Sequence, residues 1–512
     1  MKSIKNYNSV FGVSALIVFL FVLWGTIYPN NLEKYAGIAF NFTTTYFGWF
    51  YLLSVACFVF FCLFLAFSKY GQIRLGDEKP EYSFFAWISM LFSAGFGVGI
   101  VFWGVAEPLT HFASPPYDHI EPLTSESARL AMRYSFFNWG FHQWSVFAIV
   151  GLAIAYFQFR KKRNSLISET LLSSKRKNEN KFLKNTVNIL AVIATVTGVA
   201  TSMGMGILQI NGGLNQVLSI PKSTGVQITI TAVLLALYLL SCITGINKGI
   251  KWLSNLNMML VIGLMLFILF SGPTVFILES FVLAIGDYFQ HFVEASFYMT
   301  PYSGNTWVHD WTVLYWAWVI AWSPFVGTFV ARISKGRTIR EFVIGVMMVP
   351  PFIAFVWMAI FGGSGLYFDL FENGTISEAV SNDVTLALFV LLENFPIHFL
   401  LSIISILLIT IFLVTSADSA TFVLGMMTTN GNLNPSNLVK IIWGVLMAAI
   451  TVVLIISSGL KGLQTASLVS ALPFTFILIF MSITLFKSIY MDDKRGERHQ
   501  SDHLSLSQKK AQ

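Results

Sequence analysis

The chain predicts an all-α polytopic membrane protein of about twelve transmembrane helices, with two accessory helices ahead of a five-plus-five inverted repeat whose helices are broken. Three observations predict it. The composition is 55% apolar and 11% charged, with mean hydropathy +0.69, where an ordinary soluble domain carries about 25% charged residues. Apolar segments long enough to span a bilayer recur near residues 10–29, 47–67, 84–112, 134–159, 185–210, 223–245, 253–272, 310–331, 341–364, 397–428, 436–458 and 464–487. Two of these, five spans apart, carry helix-breaking residues: glycines at 95, 97 and 99 in the third, and Pro324 in the eighth. An odd offset reverses topology, so spans 3–7 and 8–12 read as inverted repeats and spans 1 and 2 as accessory.

Charge sets the orientation. With a cytoplasmic N-terminus, 27 of the 32 Lys and Arg residues fall in inward segments; only Lys34, Arg129, Arg133, Lys222 and Lys461 do not. That bias predicts a multi-pass protein of the cell membrane with both termini cytoplasmic. It also accounts for the net charge of +7 and argues against nucleic-acid binding. The first span has no small-residue cleavage site and reads as a retained helix. Cys57, Cys62 and Cys242 all lie in spans and suggest neither a disulfide framework nor a metal spacing.

The organisation follows. Residues 1–83 hold the N-terminus and the accessory helices, 84–274 the first repeat, and 310–489 the second. Between the repeats, 275–309 contains a different kind of segment. Phe281, Ile285, Phe289 and Phe292 share one helical face, while Glu279, Asp287 and Glu294 interrupt it. That pattern predicts an amphipathic helix lying in the interface. Residues 490–512 form a polar tail, expected to be mobile and solvated, with basic residues that can meet anionic lipid.

The run Ser93-Ala94-Gly95-Phe96-Gly97-Val98-Gly99 is a poor way to build a membrane helix, because each glycine costs helix stability. Backbone groups freed in a bilayer must find partners other than lipid. Such a segment fits a buried cavity where amides and carbonyls meet a substrate or ion. Tight helix packing is the competing reading, since Gly95 and Gly99 form a GxxxG pair.

Aromatic clusters lie beside both breaks. The fourth span reads Asn138-Trp139-Gly140-Phe141-His142-Gln143-Trp144-Ser145-Val146-Phe147, and the eighth carries Trp311, Trp316, Trp318 and Trp322 within twelve residues. Trp318 and Trp322 are i,i+4 and share a face; Trp144 and Phe147 are i,i+3. Tryptophan belts normally sit at the interface, and belt plus core packing is the bland reading of any one ring. A cluster of ring faces is also the physical means of holding a quaternary ammonium, which has no N–H to donate but attracts ring quadrupoles.

The tenth span reads Phe412-Leu413-Val414-Thr415-Ser416-Ala417-Asp418-Ser419. A carboxylate inside a membrane segment is costly and usually functional. The hydroxyls beside it suit a small hard cation, although Ser and Thr can simply bond to the preceding turn. Thr195, Thr197, Thr201 and Ser202 add hydroxyls in the fifth span. No H-E-x-x-H, G-x-S-x-G or P-loop pattern is present, so no catalytic chemistry and no cofactor are expected.

At these residues the chain resembles the betaine/carnitine/choline transporters, most nearly their sodium-coupled glycine betaine importers. The resemblance covers roughly 8–490. It rests on Gly95–Gly99, Ala106-Glu107-Pro108-Leu109, Trp139…Trp144, Trp318…Trp322-Ser323-Pro324-Phe325-Val326-Gly327, Ala331–Thr338 and Thr415–Ser419. It implies sodium symport of a small quaternary-ammonium osmolyte, glycine betaine first, for osmoprotection. A choline or carnitine carrier, an antiporter and a quaternary-amine channel are the alternatives. The trimethylammonium head would sit among Trp139, Trp144, Phe147, Trp318 and Trp322. The carboxylate would meet backbone amides along Ala94, Gly95, Phe96, Gly97, Val98 and Gly99. One sodium would take the carbonyls of Ser93, Phe96 and Phe412 with the hydroxyls of Thr415 and Ser416. A second would lie near Thr195 and Phe325. Choline carriers of the family often have aspartate at the position of Gly99, so glycine here points to betaine. The family commonly has tryptophan where this chain has Val319, and tyrosine where it has Phe147. Trimers occur in it.

Overall fold

The computed structural model describes residues 9–95, 97–171, 180–244, 247–372 and 374–510. They form helices α1 (Ser9–Ile27), α2 (Pro29–Phe67), α3 (Phe84–Gly95), α4 (Val98–Ala113), α5 (Ser125–Trp139), α6 (Phe141–Ala155), α7 (Ile167–Thr170), α8 (Lys181–Leu218), α9 (Thr224–Thr244) and α10 (Asn247–Ser271). There follow α11 (Thr274–Gln290), α12 (Phe292–Ser296), α13 (Trp307–Asp310), α14 (Thr312–Ile333), α15 (Ile339–Phe371), α16 (Ile376–Asn382), α17 (Ala387–Glu393), α18 (His398–Thr428) and α19 (Asn437–Lys510). Ordinary capping sets several starts. Thr124 and Ser127 form a capping box at α5, Thr338 and Glu341 another at α15, and the Asn180 side chain caps α8.

Among the described residues, ten helices are long and apolar enough to cross a membrane. Two features separate this from the expected twelve. The third span is divided into α3 and α4, and α19 holds two spans. Gly459 breaks α19 with φ 58° and ψ −137°, a left-handed conformation that glycine adopts without strain. The turn that leads into α19 and the far end of its spanning part meet the same polar loop: Asn164 donates to the Asn430 carbonyl at 2.6 Å, and Arg160 and Lys161 pair with Asp492. The chain therefore turns back at Gly459. Ser9 also belongs to this face, through Asn185 and the neighbouring Lys184–Glu169 pair.

Burial sorts the helices into an inner set and an outer ring. The apolar windows of α5–α6, α8 and α13–α14 are 94%, 83% and 78% buried, against 22% for α1, α9 and α10. The inner set holds the candidate site.

Two expectations are corrected. Pro324 does not break α14, which runs unbroken from Thr312 to Ile333. Proline removes the N–H that the Ile320 carbonyl needs; the Ser323 hydroxyl donates to that carbonyl instead, at 2.8 Å. The fourth span starts at Ser125 rather than near 134, and breaks at Gly140, where φ is −86° and ψ −146°. A Cβ at Gly140 would lie 2.6 Å from both the Phe136 carbonyl and the Tyr288 hydroxyl. The Phe141 N–H donates to that hydroxyl at 3.0 Å. In the 275–298 segment, α11 packs inward with Ile277, Phe281, Ala284 and Tyr288, while Phe289 is 55% exposed. Its Asp287 is buried, and Arg129 donates to it twice, at 2.6 and 2.7 Å.

Candidate functional site

The division of the third span creates the site. Gly97 is extended (φ −164°, ψ 177°) and precedes the first turn of α4. The opening amides of a helix have no intrahelical acceptor, and the helix dipole favours negative charge there. Gly97, Val98, Gly99 and Ile100 line a cavity at this point. The glycines let indole rings approach. A Cβ at Gly99 would lie 2.4 Å from the Trp318 ring and 3.3 Å from that of Trp139, and one at Gly97 would lie 3.9 Å from Trp322. Phe96 lies outside the described residues, as do the side chains of Ser93, Ala94 and Gly95, so the expected roles of these four belong to sequence.

The five expected aromatic side chains all line the same cavity. Trp139 from α5 meets Trp318 of α14 edge to face, with centroids 6.1 Å apart. Trp144 meets Phe147 on α6 at 5.1 Å, and Phe147 meets Trp322 at 6.4 Å. Val319, Gln143, Ser202 and Ser416 complete much of the wall. The cavity measures about 40 Å³.

Below Trp322 and Phe325 a vestibule of about 850 Å³ begins. Phe412, Thr415 and Ser416 line its deep part; Glu81, Arg332, Lys335 and Lys440 line it near the face that carries Ser9 and Asp492. The Thr415 hydroxyl donates to the Ile411 and Phe412 carbonyls of its own helix, and Phe325 faces both spaces. Thr195 is fully buried with its hydroxyl donating to the Ala191 carbonyl at 2.8 Å. Thr197 and Thr201 are used for packing: they bond the hydroxyls of Ser470 and Ser467 on α19. Asp418 lies in the vestibule and accepts from Ser241 at 3.3 Å.

Away from the vestibule the path is sealed by rings. Trp307, Trp311 and Tyr315 stack in sequence at 6.3 Å, and Trp103 closes on Trp311 at 5.4 Å. At the centre is a residue that sequence reasoning did not single out. Glu107 is fully buried and accepts from Asn138 and from the Trp139 indole N–H, each at 2.8 Å, and from the Tyr315 hydroxyl. His111 lies 3.2 Å from it. The signal was present: an acidic residue inside a span, the feature that drew notice to Asp418. Gln143 was likewise passed over between two aromatic residues.

A family model described as the betaine/carnitine/choline family transporter matches residues 9–494. An ectoine/hydroxyectoine transporter of Virgibacillus pantothenticus is 55% identical, over 97% of this chain and 99% of its own. A glycine betaine transporter of Bacillus subtilis is 48% identical, over 95% of each. A betaine/ectoine transporter of Corynebacterium glutamicum is 37% identical, over 95% of this chain and 78% of its own. The resemblance seen in the motifs therefore extends along nearly the whole sequence: the chain belongs to the betaine/carnitine/choline transporter family, and is a membrane transporter rather than an enzyme.

Proposed function

We propose that the protein imports a small zwitterionic solute of the betaine or ectoine class by sodium symport. The observation that carries this reading is the aromatic cavity placed against the first turn of α4. Ring faces attract a desolvated cation, while free amides at a helix N-terminus attract a carboxylate. A zwitterion presents both charges at once. The names of the relatives support the solute class.

The coupling sodium would use the Thr415 and Ser416 hydroxyls with backbone carbonyls of the divided third span, and a second ion would lie near Thr195 and Phe325. Alternating access follows from the two ends of the path. The vestibule opens toward the face with both termini, which the charge bias makes cytoplasmic, so this conformation faces inward. Rocking of the repeats would part the Trp307–Tyr315 stack and close the vestibule. Each sodium moved down 100 mV contributes about 2.3 kcal/mol.

The test is uptake of labelled glycine betaine, ectoine, choline and carnitine into transporter-free cells, with and without a sodium gradient. Saturable, sodium-dependent uptake of a betaine- or ectoine-class solute is expected. Uptake indifferent to sodium would overturn the coupling, and a preference for choline or carnitine would overturn the substrate class.

A further inference from the structure

We propose that Gln143 makes this site select cations that carry N–H groups, zwitterionic cyclic amidinium compounds of the ectoine class, over trimethylammonium compounds. The inference rests on the transport reading above and sharpens its substrate.

Gln143 stands in the first turn of α6, just past the break at Gly140. It is 6% exposed and lines the same cavity as Trp139, Trp144, Trp318 and Trp322. Its Oε1 is buried with no hydrogen-bond partner in the protein. Burying an amide oxygen unpaired is costly, and native proteins rarely do it without a reason. Two more residues that line the cavity share this condition, through the buried indole N–H groups of Trp318 and Trp322. Trp139 differs, because Glu107 accepts its N–H. The residues of the wall thus carry two unpartnered donors and one unpartnered acceptor.

A carboxylate can accept from both indoles, which any zwitterion of the class satisfies. The acceptor discriminates. A trimethylammonium group has only C–H bonds to offer, and these are weak donors. A cyclic amidinium has N–H groups, and its planar delocalised charge also suits indole faces. Rotating the amide would not remove the distinction, because its NH₂ end would then face the cation. A site built to hydrogen-bond a substrate N–H discriminates strongly against an analogue that lacks it.

The experiment measures equilibrium binding of glycine betaine, N,N-dimethylglycine and ectoine to purified protein in sodium. Glycine betaine has no N–H, dimethylglycine has one, and ectoine has an amidinium. The wild type is expected to bind ectoine more tightly than glycine betaine. Gln143→Met, which keeps shape and removes the acceptor, should lower ectoine affinity relative to glycine betaine by about tenfold to a hundredfold, the range for a hydrogen bond to a charged group. Dimethylglycine should shift in the same direction. Gln143→Glu keeps an acceptor and should retain the ectoine preference, so it decides the matter if the methionine variant does not fold. A betaine-preferring wild type, a ratio in Gln143→Met within about twofold of wild type, or a lost preference in Gln143→Glu would overturn the proposal. Failure of the wild type to bind any of the three would instead bring down the transport reading itself.

Discussion

Toward Trp307 the aromatic ladder of α13 and α14 closes around a buried carboxylate with both oxygens engaged. Glu107 alone engages Asn138, Trp139 and Tyr315. Toward Arg332 the same ladder ends in open space, with Trp322 and Phe325 over the vestibule and Thr415 and Ser416 along its wall. Between them lies the cavity, where Trp318, Trp322 and Gln143 hold polar atoms without protein partners. A fully engaged buried carboxylate rigidifies the groups around it, whereas the unpartnered atoms of Trp318, Trp322 and Gln143 belong to residues that line open space. The contrast separates residues that hold the transporter closed on one side from residues that meet what it carries.

The largest effect should come from the saturated end. Glu107→Ala strands three buried donors, and each buried donor left unpaired costs about 1–3 kcal/mol. Thermal unfolding in detergent should fall sharply, with transport lost. Glu107→Gln keeps the shape and should recover part of the stability. An alanine variant as stable as wild type would show that the hub does not hold the seal.

Gly99→Asp comes next. The structure adds a steric term to the electrostatic one, since a Cβ there meets the Trp318 ring at 2.4 Å. Uptake should drop at least about tenfold, a cost of ~1.4 kcal/mol, while the choline-to-betaine uptake ratio rises. A flat ratio in a variant that still transports would remove Gly99 as the selector.

Trp139→Leu, Trp144→Leu and Trp322→Leu should each weaken substrate affinity by roughly thirtyfold, from loss of a desolvated cation–π contact worth ~2 kcal/mol. Trp139 should also lose stability, because it alone of the three bonds to Glu107. Equal stability in all three variants would blur the division between seal and cavity.

Thr415→Ala with Ser416→Ala should raise the sodium concentration for half-maximal uptake several-fold with little effect on folding. The Thr415 hydroxyl bonds only its own helix backbone, and such bonds matter little to packing. An unchanged sodium requirement would make the pair structural.

Much of this was legible in sequence, and the misses have physical causes. The third-span break was readable because three glycines in five residues leave a helix few options. The five aromatic residues converge because their spacing put them on shared faces. Pro324 misled, since a serine one residue earlier caps the carbonyl that proline abandons, a compensation that composition does not reveal. The break at Gly140 was hidden because its cause is a tyrosine from α11, far along the chain. Glu107 and Gln143 were missed for a related reason. Their importance depends on which atoms lack or share partners, and that is a property of the folded interior.

The smallest expected effect, and the closest test of the cavity's shape, is Val319→Trp. The family resemblance sets a tryptophan against this position, so the sequence suggested room for a further ring. The structure argues otherwise for this conformation. Val319 is 2% exposed and lines a cavity whose wall already holds Trp139, Trp144, Trp318 and Trp322. Overpacking of a filled interior typically costs about 1–3 kcal/mol. The new ring would lie next to Trp318 in sequence, and Trp318 already touches Trp139 and Tyr315. A modest loss of thermal stability without substrate is therefore expected. If substrate binding parts the rings, the added indole gains a cation to face, and saturating glycine betaine should restore more stability to the variant than to wild type. The measurement is the substrate-induced shift in melting temperature of the two proteins. A larger shift in the variant would show that the cavity expands around its solute. An equal shift, with the apo destabilisation unrelieved, would show that Val319 belongs to a fixed wall and that only the five aromatic residues move.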